Sequence, residues 1–255
     1  MKKIIGALLV CGTLLLAGCY ESTQEITLNA DGTGTISNTN DLSALIAVAK
    51  QMGAGAELEK APQQTTDSTV SMEKGADSIP NLTPQEREMA RKGTLRINMN
   101  LKEEKFKTNL TFPFSSPSEI PVYNKLSDKI MAGIMKGKAD DMSGGGAGSA
   151  ADQMPELSSF DDYYTYEFSN GELKRKLNKE KFAGVESDQY LKAMKEAAGM
   201  GLNMKATYII NLPRPAKEAE GKGVKLSEDK KKVTITAGID DFFDDPSLLE
   251  FKIKY

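Results

Sequence analysis

Ile26-Thr27-Leu28-Asn29-Ala30-Asp31-Gly32-Thr33-Gly34-Thr35-Ile36 alternates apolar and polar side chains on either side of an Asp-Gly pair. A period of two belongs to a half-buried strand, and Asp-Gly supplies the tight reversal, so the stretch predicts a β-hairpin. A calcium loop fails on spacing: an EF-hand needs a bidentate glutamate six residues after the glycine, where Asn38 stands. Directly beyond, Asp41 is placed to cap a helix that carries Leu42, Leu45, Ile46, Ala49 and Met52 on one face.

The same signal recurs downstream. Leu95, Ile97, Met99 and Leu101 alternate, then Phe106, Thr108, Leu110, Phe112 and Phe114, with Lys102-Glu103-Glu104-Lys105 as a charged turn between them. Tyr164 to Arg175 reverses at Asn170-Gly171, a strong hairpin dipeptide. Ala206 to Leu212 reads as a strand stopped by Pro213-Arg214-Pro215, Gly223–Leu226 with Lys232–Ala237 as another hairpin, and Leu248–Tyr255 as a closing strand. Helices are expected after Pro117, with Val122, Leu126, Ile130 and Ile134 inside and an end at Lys136-Gly137-Lys138, and from Ser187, with Leu191, Met194 and Ala198 inside.

Two stretches read as loose. Residues 53–85 hold isolated apolar residues among Gly, Ala, Gln, Thr, Ser, Asp and Pro. Residues 139–158 centre on Ser143-Gly144-Gly145-Gly146-Ala147-Gly148-Ser149, which lacks the Gly-Lys-Ser/Thr and the following helix of a phosphate loop and reads as a flexible linker. Asp240-Asp241-Phe242-Phe243-Asp244-Asp245 gathers carboxylates that a hard cation would accept. A solvated turn whose phenylalanines enter the core is the simpler expectation.

Working back to the N-terminus, Lys2 and Lys3 precede an apolar run from Ile4 to Ala17. A helix needs about 20 apolar residues to span the bilayer, so this shorter run, with polar sequence after it, suits a removable signal. Its end, Leu16-Ala17-Gly18-Cys19, resembles the bacterial lipobox. That resemblance implies cleavage between Gly18 and Cys19, a diacylglyceryl thioether on Cys19 and acylation of the new amine. Two or three acyl chains at ~0.8 kcal/mol per buried CH₂ hold a protein firmly on a bilayer. Cys11 lies inside the leader.

Of 255 residues, 33 are basic and 36 acidic, and loss of the two leader lysines takes the formal charge from −3 to about −5. Such an acidic balance argues against a nucleic-acid partner. With Cys19 acylated the mature chain has no thiol for a disulfide, so its stability rests on packing. The chain has no histidine and no tryptophan. Cys–His dyads, Ser–His–Asp triads and histidine metal sites are therefore excluded. Carboxylate pairs and Ser–Lys arrangements survive, and neither is recognisable from spacing.

In layout the chain is similar to envelope lipoproteins of Bacteroidota, in which an Ala-Asp-Gly hairpin follows the lipidated cysteine and a proline-ended strand precedes a Leu-Ser-Glu-Asp hairpin. The matching residues are Ala30 to Gly34, Leu212 to Pro215 and Leu226 to Ile235. More distantly it resembles LppM-like envelope domains, whose α+β fold has been compared with lipid-carrying helix-grip proteins. This chain differs from them in its two loose stretches and in lacking a C-terminal membrane span. Asp67-Ser68-Thr69 and Asp77-Ser78-Ile79 resemble the tripeptide that Bacteroidota O-glycosylate, which would modify Ser68 and Ser78.

The expected fold class is α+β, with antiparallel β-hairpins forming a sheet and amphipathic helices packed on one face. Residues 1–18 are expected to be signal peptide and 19–138 a hairpin and helix region with the loose insertion at 53–85. Then come the linker or loop at 139–158 and a C-terminal α+β region at 159–255 completing the same sheet. The function expected is that of a non-enzymatic envelope lipoprotein with no cofactor. It would be held in the bilayer through acylated Cys19, on the outer membrane because Tyr20 is not the aspartate of inner-membrane retention, and would bind an envelope protein partner. The first alternative is a carrier or sensor of a lipid or other apolar ligand, for which twelve methionines offer adaptable surface. The remote alternative is a carboxylate-only hydrolase, which predicts two acidic groups in one cleft roughly 5–10 Å apart.

Overall fold

The computed structural model describes residues 18–44, 46, 65–142, 158–199 and 201–255. Strands β1 (Gly18–Leu28) and β2 (Gly34–Asp41) form the opening hairpin, with Leu28 opposite Gly34. In its turn the Asn29 amide donates to the Thr33 carbonyl at 2.8 Å, and Asp31 Oδ1 accepts from the Thr33 amide and hydroxyl at 3.0 and 2.8 Å. Gly32 sits at φ +89°, which a side chain would oppose. Asp41 ends β2 and accepts from the Ser43 amide at 3.1 Å. Of the helix expected there, Leu45, Ala49 and Met52 lie outside the described residues.

The loose stretch 53–85 is structured from Thr65 onward, which corrects that expectation. Strand β3 (Thr65–Ser71) pairs antiparallel along its whole length with β4 (Thr94–Asn100). Its composition hides it, because an edge strand with half-exposed faces has little apolar surface to advertise. Helix α1 (Pro84–Arg91) follows a capping box in which the Glu86 amide donates to Thr83 Oγ1 at 3.2 Å and the Thr83 amide to Glu86 Oε2 at 2.9 Å. β4 and β5 (Lys105–Phe114) make the second hairpin, with Asn100 opposite Lys105.

Helix α2 (Ile120–Met142) runs past the expected end at Lys138. Its buried face is Ile120, Tyr123, Leu126, Ser127 and Ile130. Val122, expected inside, is 44% exposed. The reason is geometric: a spacing of four overshoots one turn of 3.6 residues by ~40°, so a 122-126-130 row drifts around the helix. Tyr123 stacks on Phe112 with ring centroids 5.0 Å apart, pinning α2 to the sheet.

The C-terminal region starts with the hairpin β6 (Tyr164–Ser169) and β7 (Glu172–Leu177), turning at Asn170-Gly171 with Gly171 at φ +99°. Helix α3 (Gln189–Gly199) is capped by Asp188, whose Oδ1 accepts the Tyr190 and Leu191 amides at 3.1 and 3.0 Å. Then come β8 (Leu202–Asn211), β9 (Glu218–Glu220), β10 (Lys225–Leu226), β11 (Lys232–Gly238), the short helix α4 (Ile239–Asp244) and β12 (Phe251–Lys254).

Among the described residues the strands build two sheets. The larger has the order β10-β11-β8-β1-β2-β5-β4-β3, and the smaller β6-β7-β12-β9. Residues 159–255, expected to complete one sheet, are thus divided between two. All neighbours are antiparallel except β1 and β8, which run parallel from Gly18 opposite Leu202 to Thr27 opposite Asn211. The fold is α+β, with helices packed on an antiparallel-dominated sheet. Burying Ile26, Leu28, Ile36, Leu110, Phe112 and Phe114 on the inner face of the large sheet stabilises it by roughly 1.5–3 kcal/mol per side chain before entropy is counted.

Candidate functional site

The inner face of the large sheet changes character along its length. On β1, Ile26 and Leu28 point into the core, and alternation puts Tyr20, Ser22 and Gln24 on that same face. On β2, Asn38 and Asn40 continue the face of Ile36. From β8 come Met204, Ala206 and Tyr208, paired with Tyr20, Ser22 and Gln24. Above this patch α2 presents Asn124, Ser127, Asp128 and Met131, a stripe at i, i+3, i+4 and i+7. Helix α3 adds Tyr190, Leu191 and Met194, and the segment before β6 adds Phe160 and Asp161. Together they line a half-open cavity of about 170 Å³.

One end of the cavity is a polar network. Asp161 Oδ1 accepts from the Tyr208 hydroxyl at 2.9 Å and faces Arg175 Nη2 at 2.9 Å, while Oδ2 accepts from Asn124 Nδ2 at 2.9 Å and Gln24 Nε2 at 3.3 Å. Arg175, projecting from β7, is 1% exposed and lies over the rings of Tyr164 and Tyr208 at 4.1 and 4.4 Å. This ion pair joins the small sheet to the large one and to α2. Burial pushes the Tyr208 phenol up, so it remains a donor to Asp161. Along the floor, Asn38 Nδ2 donates to Ser127 Oγ at 2.7 Å, which in turn donates to the Tyr123 carbonyl at 2.9 Å. The Tyr20 hydroxyl donates to Asn40 Oδ1 at 3.2 Å.

Asp128 stands apart. Its half-buried carboxyl lines the cavity, and among the described residues no lysine or arginine pairs with it. Burial, reinforced by the like charge of Asp161, pushes it up to about 7. Two carboxylates in one cavity thus have different partners: Asp161 is tied to an arginine and three neutral donors, while Asp128 has no such cation among the described residues.

The residues singled out from sequence lie elsewhere. Gly18 and Cys19 are the first two residues of β1, Cys19 opposite Asn203, so the expected lipidation point directly precedes the cavity-lining Tyr20. Ser68 is half-buried in edge strand β3 opposite Ile97, and the neighbouring Asp67 is bound to Arg96 at 3.2 Å. Ser78 is exposed in a 3₁₀ turn, Ala76–Ser78. Phe242 is buried and Phe243 half-buried, while Lys222 pairs with Asp245 at 3.0 Å. Among the described residues no group of three or more His, Cys, Asp or Glu side chains gathers as a metal cluster. No described helix is long and apolar enough to cross a membrane.

The cavity residues were missed, although a signal exists: polar side chains occupying the inward positions of strands whose other half is apolar, and the 124-127-128-131 stripe on α2.

No protein-family model matches the chain, and no curated protein does. Among solved structures it is similar to the folded domain of LppM from Mycobacterium tuberculosis, with 7% identity, a TM-score of 0.39, and coverage of 94% of this chain and 91% of that one. A likeness of that size carries no argument about function.

Proposed function

We propose that this chain is a non-enzymatic, lipid-tethered protein of the bacterial cell envelope whose globular part is a binding module. The observation that carries the reading is the cavity under α2 and α3, framed by a polar network and lined by aromatic rings, methionines and amides. At about 170 Å³ it falls below the ~300–1,000 Å³ of drug-sized sites and near the 150 Å³ that accommodates a single benzene ring. Its occupant is therefore a small molecule or the head of a larger one. Of the apolar-carrier alternative, a head group fits within that volume.

The tether rests on the lysine-led apolar run, the Leu16-Ala17-Gly18-Cys19 motif and its resemblance to the lipobox. Tyr20 after the cysteine favours the outer membrane, and the Bacteroidota resemblance of the hairpins supports an envelope setting. Ser78, being exposed, is the better placed of the two glycosylation candidates.

Hydrolysis is the second reading, favoured by the two carboxylates in one cavity, whose environments differ as those of acid and base pairs do. Against it, Asp161 already takes four donors and has no free lone pair for a water or a sugar. Native mass spectrometry of the full-length protein tests the binding reading. A small co-purifying mass is expected, and Ala206→Leu, which fills the cavity floor, abolishes it. Protein that carries no small mass, or retains it unchanged in Ala206→Leu, overturns the reading.

A further inference from the structure

We infer that the cavity recognises an ammonium group, seated against the Asp128 carboxylate among the rings of Tyr20, Tyr190 and Phe160. The inference deepens the binding-module reading and rests on it. A half-buried carboxylate is stable as an anion only when an opposite charge or several donors meet it. Asp161 has both, and Asp128 has no cation among the described residues.

The charges around Asp128 leave that place open. On the segment before β6, Asp161 is neutralised by Arg175 at 2.9 Å, and Asp162 stands 4.0 Å from Lys181. From β1 and α3 the facing titratable groups are the phenols of Tyr20 and Tyr190, both pushed up by burial and hence neutral. From β8, Lys205 borders the cavity, but alternation turns its exposed side chain to the face of Glu21, opposite Met204 and Ala206. β2 contributes only amides, Asn38 and Asn40. The cavity is thus an aromatic and amide-lined space in which the Asp128 carboxylate meets the Ser159 hydroxyl but, among the described residues, no cation, the chemistry that holds alkylammonium and quaternary ammonium groups. Because Cys19 directly precedes Tyr20, the ammonium would come from a phospholipid head group at the anchoring bilayer or from a free amine.

The test uses full-length protein in a non-ionic detergent, titrated calorimetrically with choline and with its neutral isostere 3,3-dimethyl-1-butanol. Choline is expected to bind at least ~10-fold more tightly than the isostere above pH 7. That preference should fall by up to ~10-fold per pH unit below about pH 7, as protonation of the carboxylate competes with the cation. Asp128→Asn should abolish the preference for choline over the isostere. Dihexanoyl-phosphatidylethanolamine and free ethanolamine, run in parallel, separate a lipid head group from a free amine. Equal affinity for choline and isostere, or a preference that is independent of pH or survives Asp128→Asn, overturns the inference, as does failure of every ammonium probe to bind. Binding of the isostere without preference removes the ammonium alone and leaves the cavity a site for neutral ligands. The pH dependence of the wild-type protein decides the matter even where the variant folds poorly.

Discussion

The guanidinium of Arg175 and the carboxylate of Asp161 meet at 2.9 Å in the seam between two sheets, and the arginine side chain is sealed from solvent. Removing one partner of such a pair strands the other charge in a poor solvent. Arg175→Ala is therefore expected to destabilise the protein by about 3–5 kcal/mol, read from the denaturant midpoint at unchanged slope. Adding Asp161→Asn to Arg175→Ala should recover part of the loss, because the amide keeps an acceptor for Tyr208 without burying a charge. A double-variant loss equal to the sum of the two single-variant losses would show that the pair is not coupled.

Asp128 gives stability a pH dependence of known sign. Its folded-state value, about 7, lies above the unfolded value of 3.8, so between those limits the folded chain binds more protons than the unfolded one. This group's contribution to stability is full below about pH 4 and falls as pH rises toward 7, with a slope of at most ~1.4 kcal/mol per pH unit. Asp128→Asn should flatten that part of the profile in thermal or urea denaturation between pH 4 and 8. An unchanged slope in the variant would remove Asp128 as its source.

Ser127 links sheet to helix by accepting from Asn38 at 2.7 Å and donating to Tyr123 at 2.9 Å. Ser127→Ala leaves the Asn38 amide without that acceptor beneath α2, at an expected cost of about 1–3 kcal/mol. Ser118→Ala, on the exposed turn before α2, is the control expected to cost far less.

The hairpins were legible because their signals are local: Asp31-Gly32 and Asn170-Gly171 dictate a reversal, and the flanking alternation tells which side chains enter the core. Helix α1 was legible too, from Thr83-Pro84 and Glu86, yet passed unread inside a polar stretch. What lies beyond local signals is pairing at long range. Nothing near Phe251 announces that β12 will sit between β7 and β9 in a second sheet, or that β1 will run parallel to β8, some 180 residues further along the chain.

The cavity escaped for a related reason. Ser22, Gln24, Asn38 and Asn40 look like solvent-facing residues when each strand is read alone. Their inward direction follows only when Ile26, Leu28 and Ile36 fix the face of each strand, and their burial only when α2 and α3 are laid over them. Arg175 was invisible for the same reason, since a lysine- and arginine-rich strand such as Leu173-Lys174-Arg175-Lys176 reads as polar on its outward positions.

The proposed tether and the cavity meet at consecutive residues, Cys19 and Tyr20. Metabolic labelling with palmitate, followed by membrane fractionation of the wild type and Cys19→Ser, tests that joint most directly. Label is expected on the wild type and none on the serine variant, which lacks the thiol that carries the lipid. Unlabelled wild-type protein, with the variant retained on membranes to the same extent, would contradict the tether.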